Sequence, residues 1–575
     1  MKRILSLGLS IVLLLALTIQ GVSAQETPWR LEEEGGRYVT VRVPCPQGEG
    51  LVWAQQRQLA VRYGDTGQVV PLSSDYIQGY LFATVPAEEA HRPLEAFPAE
   101  NVKFSEGYTR GVDGLAARGM ISGEPQGTLR PDDALTWGEA LAMFSRMLSL
   151  EAVEEPVCAH GGAHGWYCPY AACALEAGIV EPDELNDLQA PMERAWFVLL
   201  LDRVMEQVGW LQEPPDTFET LEAVDKEEIP HWALDSYLRL APYGVYQFLV
   251  ERETEEIGLY GYPISELLAL PNEPIIRREA ISILNDFRSR PWYPKQAAID
   301  LGVDREMPVI DGSTSSYPYT QALYNALFYG QHPDMPKVHS TTHQSYERLI
   351  RGEADMLFAA TLPSQELLAQ VQEAGVALEC IPIAYDAMVF FTNEENSIES
   401  LTRQQIQDIY VSGTYENWNQ VGGPDAKLLP YRRNMDSGSY ALLERYFLED
   451  GALSLSPDVE NVLTSYSMTS ALSDVAEALR EDPPAYALGF SLYYYYQNNE
   501  EFLQDVTPNR LKLLAVDGIM PTDQTIHDGS YPLADYNYVV FRADTDQDDS
   551  AHRLAEFMLT PEGQKCVSNA GFGPL

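Results

Sequence analysis

The spacing of apolar residues changes twice along this chain of 575 residues, and each change demands a different kind of packing. From 25 to about 100, apolar and polar residues alternate. Tyr38 to Val43, Gln58 to Tyr63 and Tyr80 to Val85 read as strands separated by Gly, Pro and Asp turns, which predicts a small β domain of sandwich type. From about 104 to 290 the period lengthens to that of amphipathic helices, and 291 to 303 read as a linker. From 304 to 575 strands and helices alternate. Met307 to Ile310, Ala354 to Ala360, Val376 to Ile381 and Ala387 to Phe391 read as strands, and Thr320 to Tyr329 as a helix. That alternation predicts an α/β domain of two lobes with a cleft between them. The expected fold class is multidomain: a small β domain, an α-helical repeat region and a two-lobed α/β domain.

The first 24 residues read as a signal peptide. Lys2 and Arg3 precede an apolar stretch from Leu5 to Leu17, and Val22, Ser23 and Ala24 suit cleavage before Gln25. The alternative is a retained anchor, for which the apolar run is short. No cysteine follows the cut, so lipid attachment there is not expected. Acidic residues number 85 against 38 basic ones, a net charge of −47. Such a field repels nucleic acid and anionic membranes, and any anion site has to be built locally against it.

The six cysteines are Cys45, Cys158, Cys168, Cys173, Cys380 and Cys566, too few for a disulfide scaffold. Cys158, His160, His164, Cys168 and Cys173 cluster as zinc ligands can, but no Cys-x-x-Cys pair is present. Packing, or one disulfide, is the expected role, and no metal is assigned. The chain lacks a Gly-x-Ser-x-Gly elbow, a His-Glu-x-x-His helix and a Walker loop. With so many carboxylates, acidic pairs carry no information. No catalytic residue and no cofactor is therefore assigned, and binding is expected rather than catalysis.

Within 104 to 290 one unit recurs, at about 104–150, 160–210 and 222–290. The first copy starts at Phe104, with a helix from Gly111 to Met120 ended by Ile121 to Gly123. A loop with Gly127 to Pro131 follows, and then a second helix opened by Leu135 to Glu139, with Leu141, Phe144 and Leu148 on one face. The second copy carries Trp166, Gly178, Ile179 and Met192 to Ala195. The third carries Trp232, Gly244, Val245 and Ile275 to Glu279. Trp166 to Gly178 and Trp232 to Gly244 have equal spacing, as true repeats do. These residues resemble surface-layer homology repeats. In that family a Thr-Arg-Ala-Glu-like motif opens the second helix, and three repeats assemble to bind cell-wall polysaccharide. The resemblance implies wall-glycan-binding roles for Arg194 and Arg277. The first copy has Trp137 at the corresponding place, and the third has extra residues before Arg277. Arginine forks suit pyruvylated or phosphorylated glycans.

Three segments of the last domain set small hydroxyl or glycine residues directly before a helix: Asp311 to Tyr317, His339 to His343, and Arg433 to Ser439. A helix N-terminus offers unpaired amides and partial positive charge, hydroxyls add donors, and an arginine supplies a fork for a tetrahedral oxyanion. The runs DGSTSSYPYTQAL at 311, RLIRGEADM at 348, PIAYDAMVFFTNEEN at 382, LTRQQIQDIYVSGTYENWNQVGG at 401, RRNMDSGS at 432 and LAVDGIMPTDQTIHDGSYPL at 514 resemble the solute-binding proteins of phosphate ABC transporters, with a class II periplasmic-binding-protein fold. That resemblance implies an anion-binding role for Ser316 and Tyr317, for Thr342, and for Arg433, Ser437, Gly438 and Ser439. The aspartate that in the family accepts the proton of hydrogen phosphate corresponds to Ala360, and the second loop reads Ser-Thr-Thr-His. His343 lies in that altered loop. The tyrosines Tyr493 to Tyr496 are expected to pack in the core rather than stack on a sugar.

The expected protein is secreted and held at the bacterial cell surface through its repeats. It captures a small anion, phosphate first, in the cleft of the last domain. Its implied partners are phosphate or a related anion, cell-wall polysaccharide and an ABC transporter, with no nucleic acid. The alternative is a structural or adhesive S-layer-type surface protein whose binding domain is degenerate.

Overall fold

The structure is a computed structural model. It describes residues 29–33, 35–99, 111–122, 128–153, 165–185, 187–211, 221, 223–241, 249–257, 263–449, 452–462, 484–498, 511–545 and 549–575. The signal segment, Phe104, Gly123, Gly127, Cys158, His160, His164, Gly244 and Val245 lie outside the described residues. The chain divides into two compact units at Pro291 and Trp292.

The first unit begins with two small antiparallel sheets. One joins Arg30–Glu32, Tyr38–Pro44 and Tyr80–Pro86; the other joins Val69–Val70, Leu59–Tyr63 and Leu94–Pro98. Val41, Val43, Val61 and Leu81 meet in their core. The strand Tyr38–Pro44 is not one-sided, however: Tyr38, together with Leu72, belongs to the helical core that follows. The boundary expected near residue 100 is therefore not a boundary of compact units. Arg118 shows why. Its side chain has no exposed surface, and it donates to the carbonyls of Ser73 at 2.9 Å, Leu59 at 3.2 Å, Ser74 at 2.5 Å and Gly114 at 3.0 Å. One guanidinium thus satisfies backbone acceptors of both the β part and the helical part, which could not be buried unpaired.

The helices Trp137–Met147, Arg194–Val208 and Arg277–Phe287, expected as the second of each repeat, pack chiefly on a helix outside their own expected repeat: on Cys168–Glu176, His231–Leu240 and Val112–Ala117 respectively. Thr136 and Glu139 cap the helix Trp137–Met147 reciprocally, and Leu141, Phe144 and Met147 are fully buried on its inner face. Three buried residues just before the second helices close a ring of main-chain hydrogen bonds. Leu135 N–H donates to Ile275 O at 2.8 Å, Ile275 N–H to Met192 O at 3.0 Å, and Met192 N–H to Leu135 O at 2.8 Å. Among the extra residues expected before Arg277, Val250–Ile257 pairs antiparallel with Pro263–Leu268, where the sequence reads as helical throughout. Cross-strand pairing overrides the local helical pattern there.

In the second unit, the segment expected as a linker is folded. Trp292–Pro294 pairs with Phe328–Gly330, and Gln296–Asp300 is a helix. The helix expected at Thr320 to Tyr329 is Tyr317–Leu327, because its last residues turn into that pairing. The strand expected at Met307 is Ile310–Gly312, the residues that align in parallel with Met356–Ala359; Pro308 has no N–H to give a ladder. The two strands expected between 376 and 391 are one strand, Leu378–Asn393. It runs through a ten-stranded sheet. Its first half pairs with Ala534–Arg542 in a first lobe, alongside Met356–Ala359 and Ile310–Gly312. Its second half pairs with Ala485–Leu492 and Leu511–Val516 in a second lobe, where Lys427–Arg433 lies parallel to Ala485–Leu492. Near the crossing, buried Asp386 accepts from Ala387 N–H and Asn537 Nδ2, and burial still pushes its carboxyl up to about 6.

His339 pins two loops of the first lobe. Its Nδ1 lies 3.0 Å from the Ser313 carbonyl and its Nε2 lies 2.9 Å from Thr320 Oγ1. Gly312 is required beside it, since a Cβ there would sit 2.2 Å from the Phe358 carbonyl oxygen.

Two outcomes follow from these buried polar groups. Arg118→Ala removes the shared donor and lowers the stability of the first unit by about 3 kcal/mol; an unmoved thermal midpoint would refute the role given to it. Burial holds the His339 imidazole below its ordinary pKa, against smaller opposing effects of the Ser313 carbonyl and Asp311. The unfolded chain, titrating near about 6.5, therefore takes up the proton first, and stability falls as the pH drops through and below that value. Denaturant midpoints of the second unit should show this loss between about pH 7 and 5, and His339→Gln should flatten it.

Candidate functional site

The hydroxyl-bearing segments lie beyond the carboxyl ends of strands, where open α/β sheets bind ligands. Ser313 to Ser315 follow Ile310–Gly312, Asn434 to Ser439 follow Lys427–Arg433, and Tyr493 to Tyr495 follow Ala485–Leu492. Thr341 caps the helix Thr342–Arg351 through Gln344 N–H, and Ser437 caps the helix Gly438–Phe447 through Tyr440 N–H. The first-turn amides of these helices have no partner within their own helix.

Both lobes contribute to one cavity of about 340 Å³. Five of the seven anion-site residues expected from sequence line it: Thr342, Arg433, Ser437, Gly438 and Ser439. Arg433 is 8% exposed, and burial pushes its guanidinium down to about 10, opposed by the nearby Tyr495 phenol. Thr342 is 6% exposed, and its hydroxyl has no hydrogen-bond partner among the described residues. Gly438 lies close against the first lobe. A Cβ there would meet Ala360 Cβ and Thr342 Oγ1, each at 3.1 Å. Ala360 is itself buried in the core of the second lobe.

Ser316 and Tyr317 do not line the cavity. The turn Thr314–Ser316 rotates Ser316 inward, where its hydroxyl donates to the Phe358 carbonyl and lies 2.9 Å from that of Ser313. Tyr317 donates to the Pro336 carbonyl at 2.8 Å, with its ring edge-on to His339. Ser313, Thr314 and Ser315 face the cavity in their place. Sequence reasoning also missed Asn434, Asp436 and Ser491 among the lining residues, and Tyr495 from the tyrosine run. Tyr493 and Tyr496 of that run are buried. Tyr495 joins the cavity through a pairing that the sequence does not show: it lies just past a strand that runs parallel to Lys427–Arg433. His343 lies 3.5 Å from Glu347 on its own helix and is absent from this cavity.

The first unit holds a separate groove of about 370 Å³, lined in part by Arg130, Glu139, Arg146, Trp166 and Arg277. Arg277 is 6% exposed and ion-paired with Glu139, and its Nη1 makes no hydrogen bond among the described residues. Arg146 lies over the Tyr170 ring at 4.7 Å, and Trp166 is 56% exposed. Arg194 does not line this groove; it is buried and paired with Glu279. Trp137 meets Trp196, ring centroids 5.4 Å apart, so an aromatic pair stands at the start of the helix Trp137–Met147 where the helices Arg194–Val208 and Arg277–Phe287 each start with an arginine–glutamate pair.

Among the described residues no group of three or more His, Cys, Asp or Glu side chains is placed to hold a metal. Cys168 is in a disulfide while Cys173 is a free, buried thiol, so the two do not act together as ligands. No helix of the described residues is long and apolar enough to cross a membrane.

Comparison with known proteins gives both regions a family. Residues 305–562 match the PBP superfamily domain and residues 104–141 the S-layer homology domain. The phosphate-binding protein PstS of Borreliella burgdorferi is 26% identical over 241 residues, covering 41% of this chain and 81% of that protein. Protein SphX of Synechococcus elongatus is 24% identical over 319 residues, covering 53% of this chain and 87% of that protein. The crystal structure of an ABC-type phosphate transport receptor from Vibrio cholerae aligns with 47% of this chain and 100% of its own, at 21% identity and a TM-score of 0.37, too low to add to the sequence match. The chain thus joins a PBP superfamily domain, with phosphate-binding proteins among its relatives, to an S-layer homology domain.

Proposed function

We propose that this protein is an exported, wall-attached binding protein that captures a tetrahedral anion, phosphate first, between the lobes of its second unit. The observation that carries the reading is the shared cavity. Hydroxyls from both lobes converge there with the buried fork of Arg433, and the Thr342 hydroxyl lies buried without a partner. Arg433 supplies charge and a planar pair of donors, which match phosphate oxygens. Ser437 and Ser439 sit at the start of a helix, where amides and the helix dipole favour negative charge. Closure of the two lobes would exclude water and strengthen each of these contacts. The names of the PstS relatives support phosphate as the anion.

Residues 304–575 are read as one class II binding domain. Residues 104–290 are read as three S-layer homology copies that hold the protein at the cell wall. The groove at Arg277, with Arg130 and Arg146 near Trp166, favours an acidic wall glycan, pyruvylated or phosphorylated. Wall attachment would take the place of a lipid anchor, and an ABC transporter is the receiving partner that the relatives suggest.

Calorimetric titration of the intact chain with inorganic phosphate tests the first part. Saturable heat is expected. It should vanish in Arg433→Ala and weaken about tenfold or more in Thr342→Val, which removes one hydrogen bond to a charged ligand. Absence of heat in the intact protein would return the domain to a scaffold role. Co-sedimentation with purified wall glycan tests the second part: Arg277→Ala should reduce retention, and chemical removal of the glycan's acidic groups should abolish it.

A further inference from the structure

The ring of main-chain bonds among Leu135, Met192 and Ile275 makes three equivalent corners, one at the start of each of the helices Trp137–Met147, Arg194–Val208 and Arg277–Phe287. The groove of about 370 Å³ lies at the corner of Arg277 and Glu139, with Arg130, Arg146 and exposed Trp166 also lining it. Counting from the ring residues finds the counterpart of each at the corner of Trp137. Arg277 and Glu139 become Trp137 and Trp196. Arg130, five residues before Leu135, becomes Asp187, five before Met192 and exposed. Arg146, the tenth residue of its helix, becomes Arg203, also the tenth. Arg203 keeps the same course, donating to the Ile179 carbonyl at 3.2 Å as Arg146 donates to that of Met120 at 3.4 Å. Its guanidinium, however, is taken by Glu184, at 2.6 Å and 2.8 Å. Trp166 becomes Trp232: each stands at the start of the helix that packs on the second member of its pair.

The cationic members of the Arg277 corner are thus replaced or neutralised, and three indole rings stand in a row. Trp137 is buried, Trp196 is half-buried, and Trp232 is 44% exposed. Trp232 lies against Trp196 with ring centroids 4.3 Å apart and planes 30° apart. We propose that this corner binds an uncharged pyranose residue of the wall glycan, stacked on Trp232. The proposal rests on the wall-attachment reading above and adds a second binding place of different selectivity. A pyranose presents a face of C–H bonds that covers an indole while its hydroxyls stay in water. Trp196 already holds the Trp232 ring, so little side-chain freedom is lost on binding. A carboxylate or phosphate would meet exposed Asp187 here and no unpaired arginine among these counterparts, whereas a neutral sugar gives up nothing.

The test uses purified wall glycan whose acidic groups have been removed chemically. Saturation-transfer NMR with the intact chain reads binding at equilibrium, where contacts too weak to survive sedimentation are seen. Transfer to the sugar ring protons is expected, and it should persist in Arg277→Ala. Trp232→Ala should weaken it about tenfold, as loss of one apolar ring face implies, and Trp232→Phe should restore most of it. An unchanged thermal midpoint is expected in both variants, since the side chain is largely outside the core. No transfer from the native chain, or equal transfer from Trp232→Ala, would overturn the proposal. So would self-association of the chain that Trp232→Ala abolishes, which would make the rings a contact between copies. Arg277-dependent retention on the untreated glycan would leave the wall reading standing in each of these cases, and its absence would overturn both.

Discussion

One strand, Leu378–Asn393, serves two lobes, and the binding unit is organised around it. Its first half is hydrogen-bonded to Ala534–Arg542 and its second half to Ala485–Leu492. Neither lobe can complete its sheet without it, because a strand edge left unpaired in a core costs the hydrogen bonds of its whole length. The cleft is a consequence. Two sheets that share a strand but diverge leave their neighbouring loops facing one another, and those loops carry the hydroxyls and Arg433. Buried Asp386 near the crossing, held by Ala387 and Asn537, shows that polar satisfaction there is local and dense.

In the first unit the comparable constraint is the ring of main-chain bonds among Leu135, Met192 and Ile275. It brings together the starts of the helices Trp137–Met147, Arg194–Val208 and Arg277–Phe287, so residues two and four places past the ring meet between helices. Arg277 reaches Glu139, Arg194 reaches Glu279, and Trp137 reaches Trp196. The tryptophan that departs from the repeat pattern is matched by a second departure on its partner. A paired replacement of a buried ion pair by apolar rings is energetically mild, whereas replacing one member alone would leave a buried charge uncompensated.

The cavity between the lobes sets a guanidinium among hydroxyls, and Arg433 is buried enough to feel the loss of water.

The alternation of strands and helices in the second unit was legible in the sequence, because hydrophobic period and capping chemistry are local properties. So were the segments around Arg433 to Ser439 and the hydroxyl loops, whose residues act within a turn of one another. Tertiary structure decided what depends on distant partners. Residues 292–300 fold because Phe328–Gly330 is there to pair with. Ser316 turns inward, where the Phe358 carbonyl from a distant strand accepts its hydroxyl, and Ser313 to Ser315 face the cavity. Tyr495 joins the site because its strand ends beside Lys427–Arg433. The meaning of Trp137 was hidden for the same reason: its partner Trp196 is brought to it only when Leu135, Met192 and Ile275 close their ring. A sequence records which side chains are available, but the direction each one faces is set by whichever buried donor or acceptor would otherwise go unpaired.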